Sequence, residues 1–160
     1  LSTMPAPTGD EPFRLEFYRD EGGDEPVLDW LRSLDSAKRR AIGVAMHEIL
    51  AKMGVEVCGT EFGKQLGQGL FEFRVRQPAD QVLARAGHAK KGGGVGDEKN
   101  ILLRVYCHAY ADRVILLVAG YDKGKDASAK RENKEIALAR KRLVEFRGRR
   151  QHQIQAKCPT

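Results

Sequence analysis

Apolar and polar residues alternate most clearly in two stretches, Leu70–Arg76 and Ile101–Ala109. Successive side chains of a β-strand point to opposite faces, so each stretch predicts a strand with one apolar face. The apolar faces would consist of Phe71, Phe73, Val75, Ile101, Leu103, Val105 and Cys107. The opposite faces would carry mainly Glu72, Arg74, Arg76, Arg104, Tyr106 and His108. This pattern predicts a sheet that packs on helices with one face and offers cations and proton-transfer groups on the other. An ordinary solvated face with surface charges is the alternative.

Two further segments predict strands at other positions in the chain. Phe13–Tyr18 alternates in the same way, whereas Val114–Tyr121 is nearly all apolar. A continuous apolar run is typical of a central strand that is buried on both faces. Between these strands, residues 55–69 are rich in glycine and predict an irregular connector.

Three segments have the spacing of amphipathic helices. Pro26 suits the first turn of a helix that ends near Leu34. A second helix would be capped by Asp35 or Ser36 and stopped by Gly54. Ser128 can cap the last helix. Apolar residues of that last helix recur on one side, at Ile136, Ala139, Leu143 and Phe146.

The order of these elements, β-α-α-β-β-β-α, predicts one α+β domain over residues 13–147. We expect an antiparallel sheet packed against a helical hairpin, with a C-terminal helix. Residues 1–12 predict a disordered N-terminal tail, and residues 148–160 predict a basic, flexible C-terminal tail. The segment 77–100 contains Gly92–Gly94 and is longer than the usual hairpin loop of about 2–5 residues.

Charge is distributed unevenly along the 160 residues, whose net charge is +6. Residues 1–35 hold nine acidic and three basic side chains, whereas residues 123–150 hold eleven basic and four acidic ones. A basic end of this kind favours a polyanionic partner, although a solvated helix face would look the same. The three cysteines form no Cys-x-x-Cys pair, which argues against a disulfide framework or a zinc site. The sequence therefore favours a cytoplasmic protein, without an apolar segment long enough for a membrane span.

Five segments together resemble the RelE/ParE toxin superfamily of bacterial toxin–antitoxin pairs, most closely its HigB-like, phage-derived branch. They are Val27–Leu34, Lys64–Arg74, Arg104–Tyr106, Leu116–Lys123 and Glu135–Ala139. The second is similar to the family pattern K-x-L-x-x-G-L-(Y/F)-E-(L/F)-R, and the fifth resembles E-I-x-x-A. The resemblance spans about residues 13–147 and implies a RelE-like fold.

Three features depart from the family pattern. The lysine pair that normally ends the fourth strand is split here between Lys123 and Lys125, by Gly124. The Thr-Pro that starts the last helix is replaced by residues 126–128, and the 77–100 loop is longer than typical. The first two departures affect where cations are placed at the site.

The resemblance implies a toxin that cuts messenger RNA on the ribosome and inhibits translation. The ribose 2′-OH would attack the adjacent phosphate and release a 5′-OH, with no metal or other cofactor. Implied partners are mRNA, the ribosome and a cognate helix-turn-helix antitoxin similar to HigA. Operator DNA would be bound only through that antitoxin, and no membrane is involved.

This chemistry requires a proton acceptor, a cationic group at the phosphorane and a proton donor to the leaving oxygen. Arginine suits the second task because its planar, permanently charged fork matches phosphate oxygens. The candidate catalytic residues are Arg74, Arg104, Tyr121 and His108. The expected RNA or phosphate contacts are Lys64, Arg76, Tyr106, Lys123, Lys125 and Arg147. Each has a structural alternative, such as a salt bridge from either arginine to Glu72 or simple packing of a tyrosine.

Two other functions remain open at this point. A ParE-like protein would inhibit DNA gyrase without cutting RNA, and fold alone does not separate the two activities. A phage-derived nucleic-acid-binding protein without catalysis is the third candidate. It would bind with a steep salt dependence and form no product.

Overall fold

The structure is a computed structural model that describes residues 12–76 and 101–157 of the chain. Its main elements are β1 (Arg14–Phe17), α1 (Pro26–Ser33), α2 (Ser36–Ala45), β2 (Gly63–Gly67), β3 (Leu70–Val75), β4 (Leu103–Tyr110), β5 (Val114–Asp122) and α3 (Ala129–Lys157). The predicted α+β class is confirmed. The N-terminal tail up to residue 11 and the 77–100 loop, both discussed above, lie outside the described residues.

The five strands form one sheet in the order β1-β5-β4-β3-β2. The pairs β2–β3, β3–β4 and β4–β5 are antiparallel, whereas β1 pairs with β5 in parallel. The prediction of a wholly antiparallel sheet is therefore wrong for β1, which pairs with the last strand instead of a sequence neighbour.

Strand β2 lies inside the segment that was predicted to be an irregular connector. It pairs with β3 at the sheet edge, with a register shift between Gln65 and Gly67. Its sequence, GKQLG, has no alternation and little β propensity, so main-chain pairing with β3 produces the strand. A tertiary interaction of this kind leaves no local pattern in the sequence.

One face of the sheet is covered by the α1–α2 hairpin. Asp35 caps α2 by accepting a hydrogen bond from the Lys38 amide, as predicted. After Ala45 the chain continues through a π-helical turn and further short helical turns to Gly59. Gly54 interrupts this path with a φ of 59°, and a Cβ there would lie 2.5 Å from the Phe13 ring. The hairpin contributes fully buried apolar side chains, including Val27, Ile42 and Leu50.

The opposite face is covered by α3, so the sheet lies between two helical layers. The Ser128 hydroxyl accepts a hydrogen bond from the Arg131 amide at 3.2 Å and caps the helix, as predicted. Ala139 and Leu143 are buried against the sheet. Residues 148–157, predicted as part of a flexible tail, form the last turns of α3. Among the described helices, none is long and apolar enough to cross a membrane.

Candidate functional site

The polar face of the sheet brings three of the four candidate catalytic residues into one row. Arg74 on β3 is the register partner of Arg104 on β4, and Arg104 is the partner of Tyr121 on β5. In antiparallel pairs, directly opposite side chains share a face and lie about 4.5–5.5 Å apart at Cβ. The row therefore places two guanidinium groups and a phenol next to one another across three strands.

Glu72 holds the two arginines of this row. Its carboxylate lies 2.6 Å from Arg74 Nε and 3.5 Å from Arg104 Nε. Arg104 also donates from Nη1 to the Leu103 carbonyl oxygen, at 3.2 Å. Burial lowers the pKa of Arg104, and the charge of Glu72 opposes that shift. Arginine stays protonated in proteins, so the cluster is a carboxylate between two cations.

Two tyrosines lie beside the arginines. The rings of Tyr106 and Tyr121 are parallel to within 6°, with centroids 6.4 Å apart. Burial raises the pKa of both phenols above the ordinary value, and nearby carboxylates raise the pKa of Tyr106 further. At Tyr121 this burial outweighs the cation Arg104, so the phenol stays protonated near neutral pH. Tyr121 is therefore suited to donate a proton, not to accept one.

Four buried polar atoms in this cluster have no hydrogen-bond partner among the described residues. They are Glu72 Oε1, Arg104 Nε and the hydroxyl oxygens of Tyr106 and Tyr121. Buried polar groups are nearly always paired, because an unpaired one costs about 1–3 kcal/mol. Glu72 Oε1 and Arg104 Nε nevertheless form an ion pair at 3.5 Å, and the two phenols lie close enough to shift each other's pKa. The cluster is thus incompletely hydrogen-bonded, which in a folded protein calls for a structural or functional explanation.

The first turns of α3 add charged groups that are not among the candidate site residues predicted from the sequence. The Arg131 guanidinium lies 5.3 Å from the Tyr121 ring centre, and its Nε is 2.9 Å from Glu135 Oε1. Glu132 lies 3.4 Å from Lys123 Nζ, and its charge raises the pKa of Tyr121. The i,i+4 pair of Arg131 and Glu135 at the start of a helix was the one local signal for this contribution.

Exposure differs sharply within the site. Arg104, Tyr106 and Tyr121 are buried beneath α3, each no more than 3% exposed. The side chains of Arg74 and Lys123 are 21% and 23% exposed. The site thus has an inner layer of buried groups and an outer layer that solvent reaches.

His108 lies away from the row. It is four residues beyond Arg104 on β4, about 13 Å along the strand. Its Nδ1 lies 2.8 Å from the Gly69 carbonyl oxygen, which requires a proton on Nδ1. Burial lowers the pKa of His108, so the ring is neutral near pH 7. His108 therefore fixes the β2–β3 turn and does not reach the group that the two arginines contact.

Arginines of α3 fasten the helix to the same turn. Arg140 donates to the carbonyl oxygens of Leu66 at 2.8 Å and Gly67 at 3.3 Å. Arg147, a predicted phosphate contact, donates to the Gln68 carbonyl oxygen at 2.9 Å. The basic side of α3 is therefore partly used to hold the helix on the sheet.

The remaining predicted RNA contacts lie at the margins of the polar face. Lys64 is exposed on β2, opposite Glu72. Arg76 is exposed at the end of β3 and shares with Arg74 a small pocket of about 180 Å³. Lys125 is exposed in the turn that follows β5. These exposed cations thus lie outside the buried part of the row.

Within residues 12–76 and 101–157, no group of three or more His, Cys, Asp or Glu side chains is placed to hold a metal ion. A scan against protein-family models and a search of curated proteins each return no match to this chain.

Proposed function

We propose that the chain is an RNA-cleaving toxin, similar to the HigB-like branch of the RelE/ParE superfamily, that acts on messenger RNA at the ribosome. One observation carries the proposal: Arg74, Arg104 and Tyr121 form a single row of register partners, and the buried polar atoms of this row are incompletely hydrogen-bonded. The row supplies charge stabilisation and a proton donor in one place, as phosphate chemistry requires.

In the proposed reaction, the ribose 2′-oxygen bonds to the adjacent phosphorus and the bond to the 5′-oxygen breaks. The products are a 2′,3′-cyclic phosphate and a new 5′-OH end. Arg74 and Arg104 neutralise the charge that develops on the phosphoryl oxygens. Tyr121, whose raised pKa keeps it protonated, donates a proton to the leaving oxygen. Glu132, a partly exposed carboxylate on the first turns of α3, accepts the 2′-OH proton once those turns have moved to admit the RNA.

The proposal requires movement of the first turns of α3. RNA can reach the partly exposed Arg74, Lys123 and Arg131 directly, whereas Arg104 and Tyr121 are covered. The turn of helix around Arg131 must lift from the Tyr121 ring before a phosphate can contact both arginines. Ribosome and message binding would then supply the free energy for this opening.

The test is 5′-end mapping of a reporter message incubated with the purified protein, with and without translating ribosomes. We expect new 5′-OH ends that need ribosomes and disappear in Arg74→Ala. Arg40→Ala is the matched control, because Arg40 is exposed on α2, on the opposite side of the sheet. Equal cleavage by Arg74→Ala and Arg40→Ala would reject the assigned site.

Burial of Arg104 and Tyr121 favours a second candidate, a nucleic-acid-binding protein without catalysis. In that case the cluster is structural, RNA binding weakens steeply with salt and no new ends form. Growth arrest on expression without new RNA ends would instead support the ParE-like inhibition of gyrase. Under either toxin function, we propose that a helix-turn-helix antitoxin neutralises the chain and mediates operator binding.

A further inference from the structure

A pocket of about 220 Å³ lies at the far end of α3 from the arginine row, between the helix and β1. Arg150, at this pocket, is nineteen residues beyond Arg131, or about 28 Å along the helix axis. The pocket is therefore separate from the site proposed above.

Two half-buried aromatic rings line this pocket: Tyr110 and Phe146. Tyr110 and Phe146 contact edge to face, with ring centroids 4.9 Å apart. Buried Leu116 contributes a further apolar wall. Partly exposed aromatic rings are the surfaces on which nucleic-acid bases stack, whatever their sequence.

Two guanidinium groups are held at the rim by neighbouring groups. Arg149 donates to the Arg19 carbonyl oxygen at 2.6 Å and forms an ion pair with Glu145 at 3.5 Å, whereas its Nε has no hydrogen-bond partner among the described residues. Arg150 lies over the Tyr110 ring, 4.6 Å from its centre. Because they are held before a ligand arrives, both lose little side-chain freedom on binding an anion.

The one carboxylate that lines this pocket is already neutralised. Glu16 accepts a hydrogen bond from the Tyr110 hydroxyl and forms an ion pair with Arg14 at 2.7 Å. Burial, and then the hydrogen bond to Glu16, raise the pKa of the Tyr110 phenol to about 12, so the donor persists at neutral pH. Glu16 therefore opposes an incoming anion less than a free carboxylate would.

From this arrangement we infer that the pocket binds a nucleoside monophosphate unit, with the phosphate on Arg149 and Arg150. The base would lie against Phe146, because Arg150 covers the Tyr110 ring. The inference goes beyond the proposed cleavage site and does not depend on it. A planar aromatic group joined to a phosphate matches both surfaces at once, whereas inorganic phosphate or a free nucleoside matches only one of them. Nucleotides of a single RNA strand and free mononucleotides share this chemistry.

The test is a nuclear magnetic resonance titration of the full chain with adenosine 5′-monophosphate, adenosine and inorganic phosphate. With the monophosphate, we expect chemical-shift changes at the pocket residues that saturate as ligand is added. Adenosine alone and inorganic phosphate alone should each bind at least about tenfold more weakly. Arg150→Gln should weaken binding of the monophosphate about tenfold, and Phe146→Leu should weaken it without affecting phosphate. Arg40→Gln is the control for loss of one exposed positive charge.

Equal affinity of wild type and Arg150→Gln for the monophosphate would overturn the inference. Chemical-shift changes that do not saturate as the monophosphate is added would also overturn it. Binding of an acidic peptide such as oligoglutamate in preference to the monophosphate would also overturn it, in favour of a protein-binding surface. Titration of Arg74→Ala separates the two proposals. That variant should keep the monophosphate site even where it has lost RNA cleavage. A single RNA strand with isotopically labelled adenosines would test RNA as the source of the nucleotide. Binding of this strand to wild type and not to Arg150→Gln would identify RNA as that source.

Discussion

The two faces of the sheet differ in chemistry although helices cover both. Beneath the α1–α2 hairpin, the sheet presents mainly apolar side chains, such as Phe73, Val105 and Leu117. A buried carboxylate on this side, Asp122, is paired with Lys38 of α2 at 2.6 Å. Beneath α3, apolar residues share the layer with Glu72 and Arg104, which are both almost fully buried. An apolar layer gains free energy from burial alone, whereas buried charges cost desolvation that their partners only partly return. We therefore expect the first face mainly to stabilise the fold, whereas the second carries the site of the proposed function.

The largest expected effect comes from the apolar face. Ile42→Ala removes a fully buried side chain between the hairpin and the sheet, and should lower the free energy of unfolding by about 3 kcal/mol. Ile154→Ala makes the same deletion at a residue that is 56% exposed on α3. Urea denaturation of the two variants measures the contrast. Similar losses at both positions would contradict the assignment of the core.

A smaller loss of stability is expected from the charged face. Glu72→Gln keeps an acceptor for Arg104 but removes the charge of its counter-ion, and should cost about 2 kcal/mol. Glu56→Gln, at an exposed position, is the matched control and should change stability by less than about 0.5 kcal/mol. An unchanged denaturation midpoint for Glu72→Gln would show that the carboxylate does not hold the arginines.

Removal of the unpaired hydroxyls separates stability from activity. Tyr106→Phe and Tyr121→Phe each delete a buried hydroxyl that lacks a well-aligned hydrogen bond among the described residues. Stability should therefore change by less than about 1 kcal/mol, or increase. Cleavage should fall strongly in Tyr121→Phe, since the proton donor is gone, by about 10²-fold or more. A marked loss of stability in either variant would mean that the hydroxyl has a structural partner.

The smallest effect concerns pH. The folded protein lowers the pKa of His108 below its ordinary value, so the unfolded chain takes up a proton more readily. The contribution of His108 to the free energy of unfolding is fully present above the pKa of the unfolded chain, about 6.5. This contribution is lost as pH falls through the pKa of His108 in the folded protein. In His108→Asn, denaturation midpoints should decrease less between pH 7 and pH 5 than in wild type. Parallel decreases in both proteins would contradict the role of His108.

Much of the sheet could be predicted from the sequence, since alternation fixes which side chains share a face. Phe71, Phe73 and Val75 were predicted on the apolar face, and they lie there. Strand β2 and the parallel pairing of β1 could not be predicted in this way, because both arise from contacts between distant segments.

The candidate site shows the same division. The convergence of Arg74 and Arg104 follows from their places on the predicted strands. Their covering by α3 does not, because it depends on how a distant helix packs. The sequence spacing of α3 indicated an apolar side, but not that its charged first turn would lie over Tyr121.

RNA cleavage at the arginine–tyrosine row is tested most directly by single-turnover 5′-end mapping on programmed ribosomes. Wild type and Tyr121→Phe are compared at equal concentrations of folded protein. We expect new 5′-OH ends with wild type, and the same ends should appear at least about a hundredfold more slowly with Tyr121→Phe. Equal rates for the two proteins would contradict the role of the arginine–tyrosine row. The absence of new ends with wild type would contradict RNA cleavage itself.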